Sequence, residues 1–215
     1  MIDLDRMADR LPSVRTFLIA AAVVLAAVLV AGGGWYWYRA SQREAARVYA
    51  AALAQAHTAP ASQGTPEARD AAARSLESAL QSHPSAPLAD QAAYELGSLR
   101  HAAGQYASAR AAYGIALARG SSPTLKTLAR LGIGYAWEAE RNLPRATETF
   151  QAVAADLKPT DAFYEQALLD LARVQELAGR KDDAVQTYRR LLKDVARSPR
   201  ADEVRLRLAS LGATP

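Results

Sequence analysis

The chain has 215 residues, half of them hydrophobic and 50 of them alanine, a composition that favours helix by propensity. Twenty-two Arg and four Lys face 22 Asp and Glu, and the net charge of +4 is too modest to point to nucleic acid. Cysteine is absent and the three histidines (His57, His83, His101) lie far apart, which excludes disulfides, thiolate sites and Cys nucleophiles and argues against a His-rich metal centre.

The first 15 residues are charge-rich, with Arg6, Arg10 and Arg15 set against Asp3, Asp5 and Asp9. Phe17 to Ala31 then carries no charged or strongly polar residue, and Gly32-Gly33-Gly34 and Trp35-Tyr36-Trp37-Tyr38 follow before Arg39. As a helix, Phe17 to Tyr38 would reach roughly 33 Å, the thickness of a bilayer core. The four aromatics read as an interfacial belt. A buried soluble helix fits poorly, because no polar face interrupts the run. A cleaved signal peptide competes with an uncleaved anchor, and the aromatic cluster favours the anchor. Arg6, Arg10 and Arg15 on one side balance Arg39, Arg43 and Arg47 on the other, so charge counting leaves orientation open. The expected divisions are a tail over 1–15, an anchor over 16–38, a juxtamembrane helix and loop over 39–65, and a repeat domain over 66–215.

Beyond the anchor, apolar positions keep helical spacing. The segments 106–117, 143–154 and 181–192 align: Ala109, Ala146 and Ala184 coincide at separations of 37 and 38, as do Tyr113, Phe150 and Tyr188. Upstream, Gly97, Gly134 and Ala172 fall in the same phase, and Pro123, Pro159 and Pro199 are read as closing the units. The small residues mark helix crossings, where larger side chains would push two helices apart. The aromatics fill the gaps between neighbouring units. A half unit precedes, with Ala72, Leu76, Ala79 and Leu80 in phase, and its first helix is expected from about Tyr36 to Ala56. A final helix over 201–212, with Val204, Leu206, Leu208 and Leu211 as buried candidates, is expected to cover the open end of the stack.

Small residue, Ala, aromatic and Pro in this order resemble the tetratricopeptide repeat, with units three to four residues longer than the usual length of about 34. The fold expected is all-α: an N-terminal transmembrane helix, then an α-solenoid of about three and a half helix pairs with a C-terminal capping helix. A short tail, one span ending in GWYWYRASQREAARVYAAAL, a gap and these repeats resemble the YfgM-type proteins of bacterial inner membranes, described as ancillary partners of the SecYEG translocon. That resemblance implies a periplasmic repeat domain that binds exported polypeptides or periplasmic chaperones.

In such stacks the first helix of each pair lines the concave side. The repeat phase puts Gln91, Tyr94, Ser98 and His101 there from the first unit. The second contributes Leu128, Leu131, Tyr135 and Glu138, and the third Gln166, Leu169, Arg173 and Glu176. This groove reads as apolar and aromatic with few charges, suited to extended polypeptide or a partner helix. Tyr94, Leu128, Leu131 and Leu169 read equally as core. His101 reads as a solvated or hydrogen-bonded side chain, Trp137 as a packing residue, and the charge clusters over 180–183 and 197–205 as solvated faces. The Lys, Asn and Arg set of a carboxylate clamp is missing. Gly32-Gly33-Gly34 lacks the rest of a P-loop, and Gly132-Ile133-Gly134 follows no strand. No cofactor, metal, nucleic acid or small-molecule substrate is expected: the sequence reads as a binding protein and not an enzyme. Its two functional readings are a chaperone-like helper at the translocon and a structural scaffold for an envelope complex.

Overall fold

The computed structural model describes residues 14–58 and 64–214. Arg6, Arg10, most of the expected tail and positions 59–63 of the loop lie outside these. Every regular element among the described residues is helical: α1 (Val14–Thr58), α2 (Pro66–Ser82), α3 (Ala89–Ala102), α4 (Tyr106–Arg119), α5 (Pro123–Ala139), α6 (Leu143–Asp156), α7 (Tyr164–Leu177), α8 (Lys181–Asp194) and α9 (Ala201–Ser210). The chain divides into two compact units, Met1–Ala45 and Ala46–Pro215.

In the first unit α1 runs without interruption through Gly32, Gly33 and Gly34, where an added Cβ would meet nothing within 4 Å. Leu18, Ile19, Val23, Leu25 and Leu29 are all exposed, as are Trp35, Tyr36, Trp37 and Tyr38. The Arg39 guanidinium lies 4.1 Å from the Trp35 ring centroid, an attraction of cation to aromatic face. Over Ala21–Thr58 this helix is long and apolar enough to cross a membrane.

In the second unit the last turns of α1 bury Tyr49, Ala52, Leu53 and Ala56, and the Tyr49 hydroxyl donates to the His83 carbonyl at 2.9 Å, beyond the end of α2. Three full helix pairs follow, α3/α4, α5/α6 and α7/α8. Each helix from α2 to α8 packs on the next, and α3 also touches α5. Helix starts are locally encoded. Thr65, Ser122 and Asn142 cap α2, α5 and α6 through side-chain oxygens that accept from the backbone N–H three residues on. Pro123 thus opens α5, where its missing N–H is harmless, instead of closing the unit before it.

The turn inside each pair has one design. Gly104, Arg141 and Gly179 occupy equivalent places and all have positive φ, of 72°, 61° and 73°. The following N–H reaches back five residues each time, from Gln105 to Arg100, Asn142 to Trp137 and Arg180 to Gln175, all at 2.9 Å. This is the left-handed ending that satisfies orphan helix carbonyls. Arg141 adopts it with a Cβ, which costs about 1–2 kcal/mol relative to Gly.

Between the helices of a pair, bulk is matched to absence of bulk. A Cβ on Gly97 would lie 2.6 Å from the Tyr113 ring, and one on Gly134 would lie 2.5 Å from Phe150. A Cβ on Gly132, in the next unit, would lie 2.6 Å from the same Tyr113 ring, so that ring is clasped by two glycines of successive units. Ala172 and Tyr188 hold the same positions in the third pair and are both buried. At the C-terminus α9 buries Val204 and Leu208, while Leu206 is 73% exposed, contrary to expectation. Val204 and Leu208 are four apart and share a face, and Leu206, two from each, falls on the opposite one.

Gly134→Ala is expected to lower stability by about 1–3 kcal/mol, because Phe150 is fully buried and has no room to withdraw. Arg141→Gly should instead raise it by about 1 kcal/mol. Denaturant unfolding of the two variants beside the parent protein, followed by circular dichroism, checks both signs.

Candidate functional site

The first helices α3, α5 and α7 carry the predicted groove residues. Gln91 is exposed, and Tyr94, Ser98 and His101 are half-buried on α3. The rings of Tyr94 and Tyr113 lie 5.6 Å apart, and the Tyr113 hydroxyl donates to Ser98 Oγ at 3.4 Å. Burial pushes the Tyr113 phenol up to about 12, and Tyr94 is raised as well. His101 meets Tyr106 edge-to-face at 5.3 Å, and its buried Nε2 makes no hydrogen bond, so it is packed aromatic surface and neither solvated nor hydrogen-bonded at that atom.

On α5, Leu128, Tyr135 and Glu138 are half-buried. Leu131 is 3% exposed and belongs to the same buried cluster as Phe150 and Leu168, so it is core and not groove. The reason is position: its column flanks the inner stripe, and the middle unit is covered by a neighbour on each side. Trp137 is a packing residue. Arg110 of α4 lies 3.5 Å from its ring centroid and Arg145 of α6 lies 4.6 Å from it, joining three successive helices. Arg110 is also paired with Glu140 at 2.6 Å.

The third unit departs most from the expectation of an apolar groove. Gln166, Leu169, Arg173 and Glu176 do line a cleft, of about 370 Å³, but they share it with Asp170, Tyr188, Arg200, Glu203 and Arg207. Asp170 organises it. This carboxylate is 3% exposed and accepts from the Tyr135 hydroxyl (2.5 Å), Gln166 Nε2 (3.1 Å) and Arg173 Nη2 (2.8 Å). Arg173 also bonds Glu138 through Nη1. Two links therefore tie α5 to α7: Tyr135 to Asp170 and Glu138 to Arg173. Burial raises the Asp170 carboxyl above its ordinary value, and donation from Tyr135 and Gln166 and the charge of Arg200 partly oppose this. Tyr135 is raised too, first by burial and then by the carboxylate it faces. At the outer end the Tyr188 hydroxyl donates to Glu176 Oε1 at 2.5 Å, and Arg200 donates to Gln166 at 3.0 Å.

Asp170, Tyr188 and the α9 charges were missed by the repeat projection. Asp170 was within reach of it: Gln166, Asp170 and Arg173 follow i, i+4, i+7 spacing along the cleft, one residue beyond Leu169. Among the described residues no group of three or more His, Asp or Glu could hold a metal. The arrangement offers fixed donors and acceptors in an open cleft, which is the equipment of recognition.

The family model of the tetratricopeptide repeat matches residues 67–124, 94–162 and 160–203. Among solved structures the chain is similar to the TPR-like repeats, nearly identical to one another, of a kinesin light chain candidate from Podosopora anserina. Identity is 16%, the match covers 80% of this chain and 84% of that one, and the TM-score is 0.56, a likeness of fold. No curated protein matches the chain in sequence.

Asp170→Ala is expected to cost about 2–3 kcal/mol by leaving buried donors without an acceptor, and Tyr135→Phe about 1 kcal/mol. Because the two side chains share one hydrogen bond, the double variant should cost less than the sum of the two. A double-mutant cycle by denaturant unfolding measures the coupling, and strict additivity would refute the link.

Proposed function

Because the chain belongs to the tetratricopeptide repeat family, we propose that it is a membrane-anchored protein-interaction module holding partner polypeptide on the inner face of its repeats. In this reading 16–38 is the anchor, 1–15 a cytoplasmic tail, and 39–65 a juxtamembrane link, with the binding domain over 66–215 completed by the last turns of α1. The protein acts as do the YfgM-type proteins it resembles: set in a bacterial inner membrane with its repeats in the periplasm, it assists the Sec translocon by receiving exported polypeptides or passing them to periplasmic chaperones.

One observation carries the reading. A single helix, α1, holds exposed apolar residues and an aromatic–Arg collar in its first part and Tyr49, Ala52, Leu53 and Ala56 of the repeat core in its last turns. The inner face supports the rest. Gln91, Tyr94, Ser98, His101, Leu128, Tyr135, Glu138, Gln166, Leu169, Arg173 and Glu176 together offer aromatic surface at one end and hydrogen-bonding groups at the other, a mixture suited to polypeptide of varied sequence. Repeat solenoids of this kind are binding scaffolds, so the chain is read as a non-enzyme.

Photo-crosslinking residues placed at Gln91 and Tyr94 in intact membranes are expected to label translocon subunits and exported chains. Labelling of one mature envelope protein, with neither of these, would replace the translocon role by that of a structural scaffold for an envelope complex.

A further inference from the structure

The cleft between α7 and α9 holds two groups that its internal network does not use. Asp170 is engaged by three donors, Arg173 by two carboxylates, Glu176 by Tyr188 and Arg200 by Gln166. Glu203 and Arg207 also line the cleft, beside the Tyr188 hydroxyl whose acidity both charges influence, yet neither side chain has an ion pair or hydrogen bond among the described residues. Their spacing makes this informative. A Glu four residues before an Arg on a helix is the arrangement that ordinarily pairs within the helix. Next to them on the same helix, Asp202 and Arg205 do pair, at 2.7 Å. Glu203 and Arg207 instead stand side by side over the cleft, one acceptor and one donor, both open to solvent.

A ligand that satisfies both must present a donor and an acceptor together. A simple anion would suit Arg207 and be repelled by Glu203, and a simple cation would meet the reverse. A main-chain peptide group carries one N–H and one C=O and answers both. Leu169 and the 47% exposed Leu177 add an apolar wall for a neighbouring side chain. At about 370 Å³ the space lies within the roughly 300–1,000 Å³ of ligand clefts. The fixed network beneath it keeps the walls in place, so little ordering is needed on binding.

We propose that this cleft is a subsite for the backbone of an extended polypeptide, with a main-chain N–H donated to Glu203 and the adjoining C=O accepting from Arg207. The inference rests on the reading that the inner face receives unfolded chains, and it adds that recognition at this end is of backbone and therefore independent of sequence.

The test uses the full chain in nanodiscs and a fluorescent ten-residue peptide of alternating Ser and Leu. Anisotropy titration is expected to show saturable binding, weakened about five- to tenfold by Glu203→Ala and by Arg207→Ala, each about 1 kcal/mol or slightly more. Arg205→Ala, whose side chain pairs with Asp202 on the side of α9 away from the cleft, should leave affinity unchanged. The same peptide N-methylated along its backbone should bind as weakly to the parent protein as the parent peptide binds to the variants, and a shuffled sequence should bind as well as the original. Parent protein that binds the peptide equally well with or without Glu203 and Arg207, or regardless of N-methylation, overturns the subsite and leaves the inner-face reading standing. Parent protein that binds neither this peptide nor a reduced, carboxymethylated unfolded protein overturns the inner-face reading and the subsite together. Both substituted side chains are exposed, and matching circular dichroism spectra confirm that the variants fold.

Discussion

The contact of an aromatic ring with a residue that has almost no side chain governs the spacing of this solenoid. Tyr113 sits where a Cβ on Gly97 or Gly132 would collide with it, and Phe150 does the same to Gly134. Close packing leaves little freedom here: the ring fills the volume that the missing side chains vacate, and moving either helix outward would open a void. Since Tyr113 touches glycines from two successive units, one side chain fixes both the crossing within a pair and the stacking of the next pair on it. The third pair has Ala172 and Tyr188 at the equivalent positions, both in one buried cluster.

With helix separations set in this way, polar groups from different units meet reproducibly. Tyr135 and Asp170 lie 35 residues apart in sequence, as do Glu138 and Arg173, yet both pairs bond across the α5–α7 interface. Desolvation of Asp170 is unfavourable, and the three donors around it offset that cost. A buried carboxylate held in this fashion contributes more to fixing the register of two helices than to net stability. The reward is functional. In the proposed reading it gives the binding face a hydrogen-bonded polar floor at its C-terminal end, with the aromatic pair Tyr94 and Tyr113 at the other. Arg110 and Arg145, both close to the Trp137 ring, brace the same units through α4, α5 and α6.

Much of this was legible before any coordinates. Ala109, Ala146 and Ala184 with Tyr113, Phe150 and Tyr188 announced three helix pairs, and Val204 with Leu208 announced a covering helix. The errors were of two kinds. Leu206 was assigned to the wrong face because a helix rotates 100° per residue, so a shift of two positions exchanges solvent for core, while of the two readings open for Leu131 burial selects core. The groove was read as apolar because Asp170 lies one position from Leu169 and escaped the projected column. The left-handed turn residues Gly104, Arg141 and Gly179 share the repeat phase, and the Arg in the middle hid the pattern that two glycines would have revealed.

Periodicity alone determined that this chain is a stack of helix hairpins preceded by a long apolar segment, because the spacing of small, aromatic and aliphatic side chains dictates which helical faces can be buried. Tertiary structure decided which charges are neutralised and which remain available. Arg173 chooses Glu138 and Asp170, and Arg100 chooses Asp70 and Glu77, through distances between helices that no local pattern encodes. Glu203 and Arg207, whose spacing on one helix would pair them, are left open to a partner for the same reason: α9 sits against α8 with those two side chains turned over the cleft, and that placement comes from packing Val204 and Leu208 into the core.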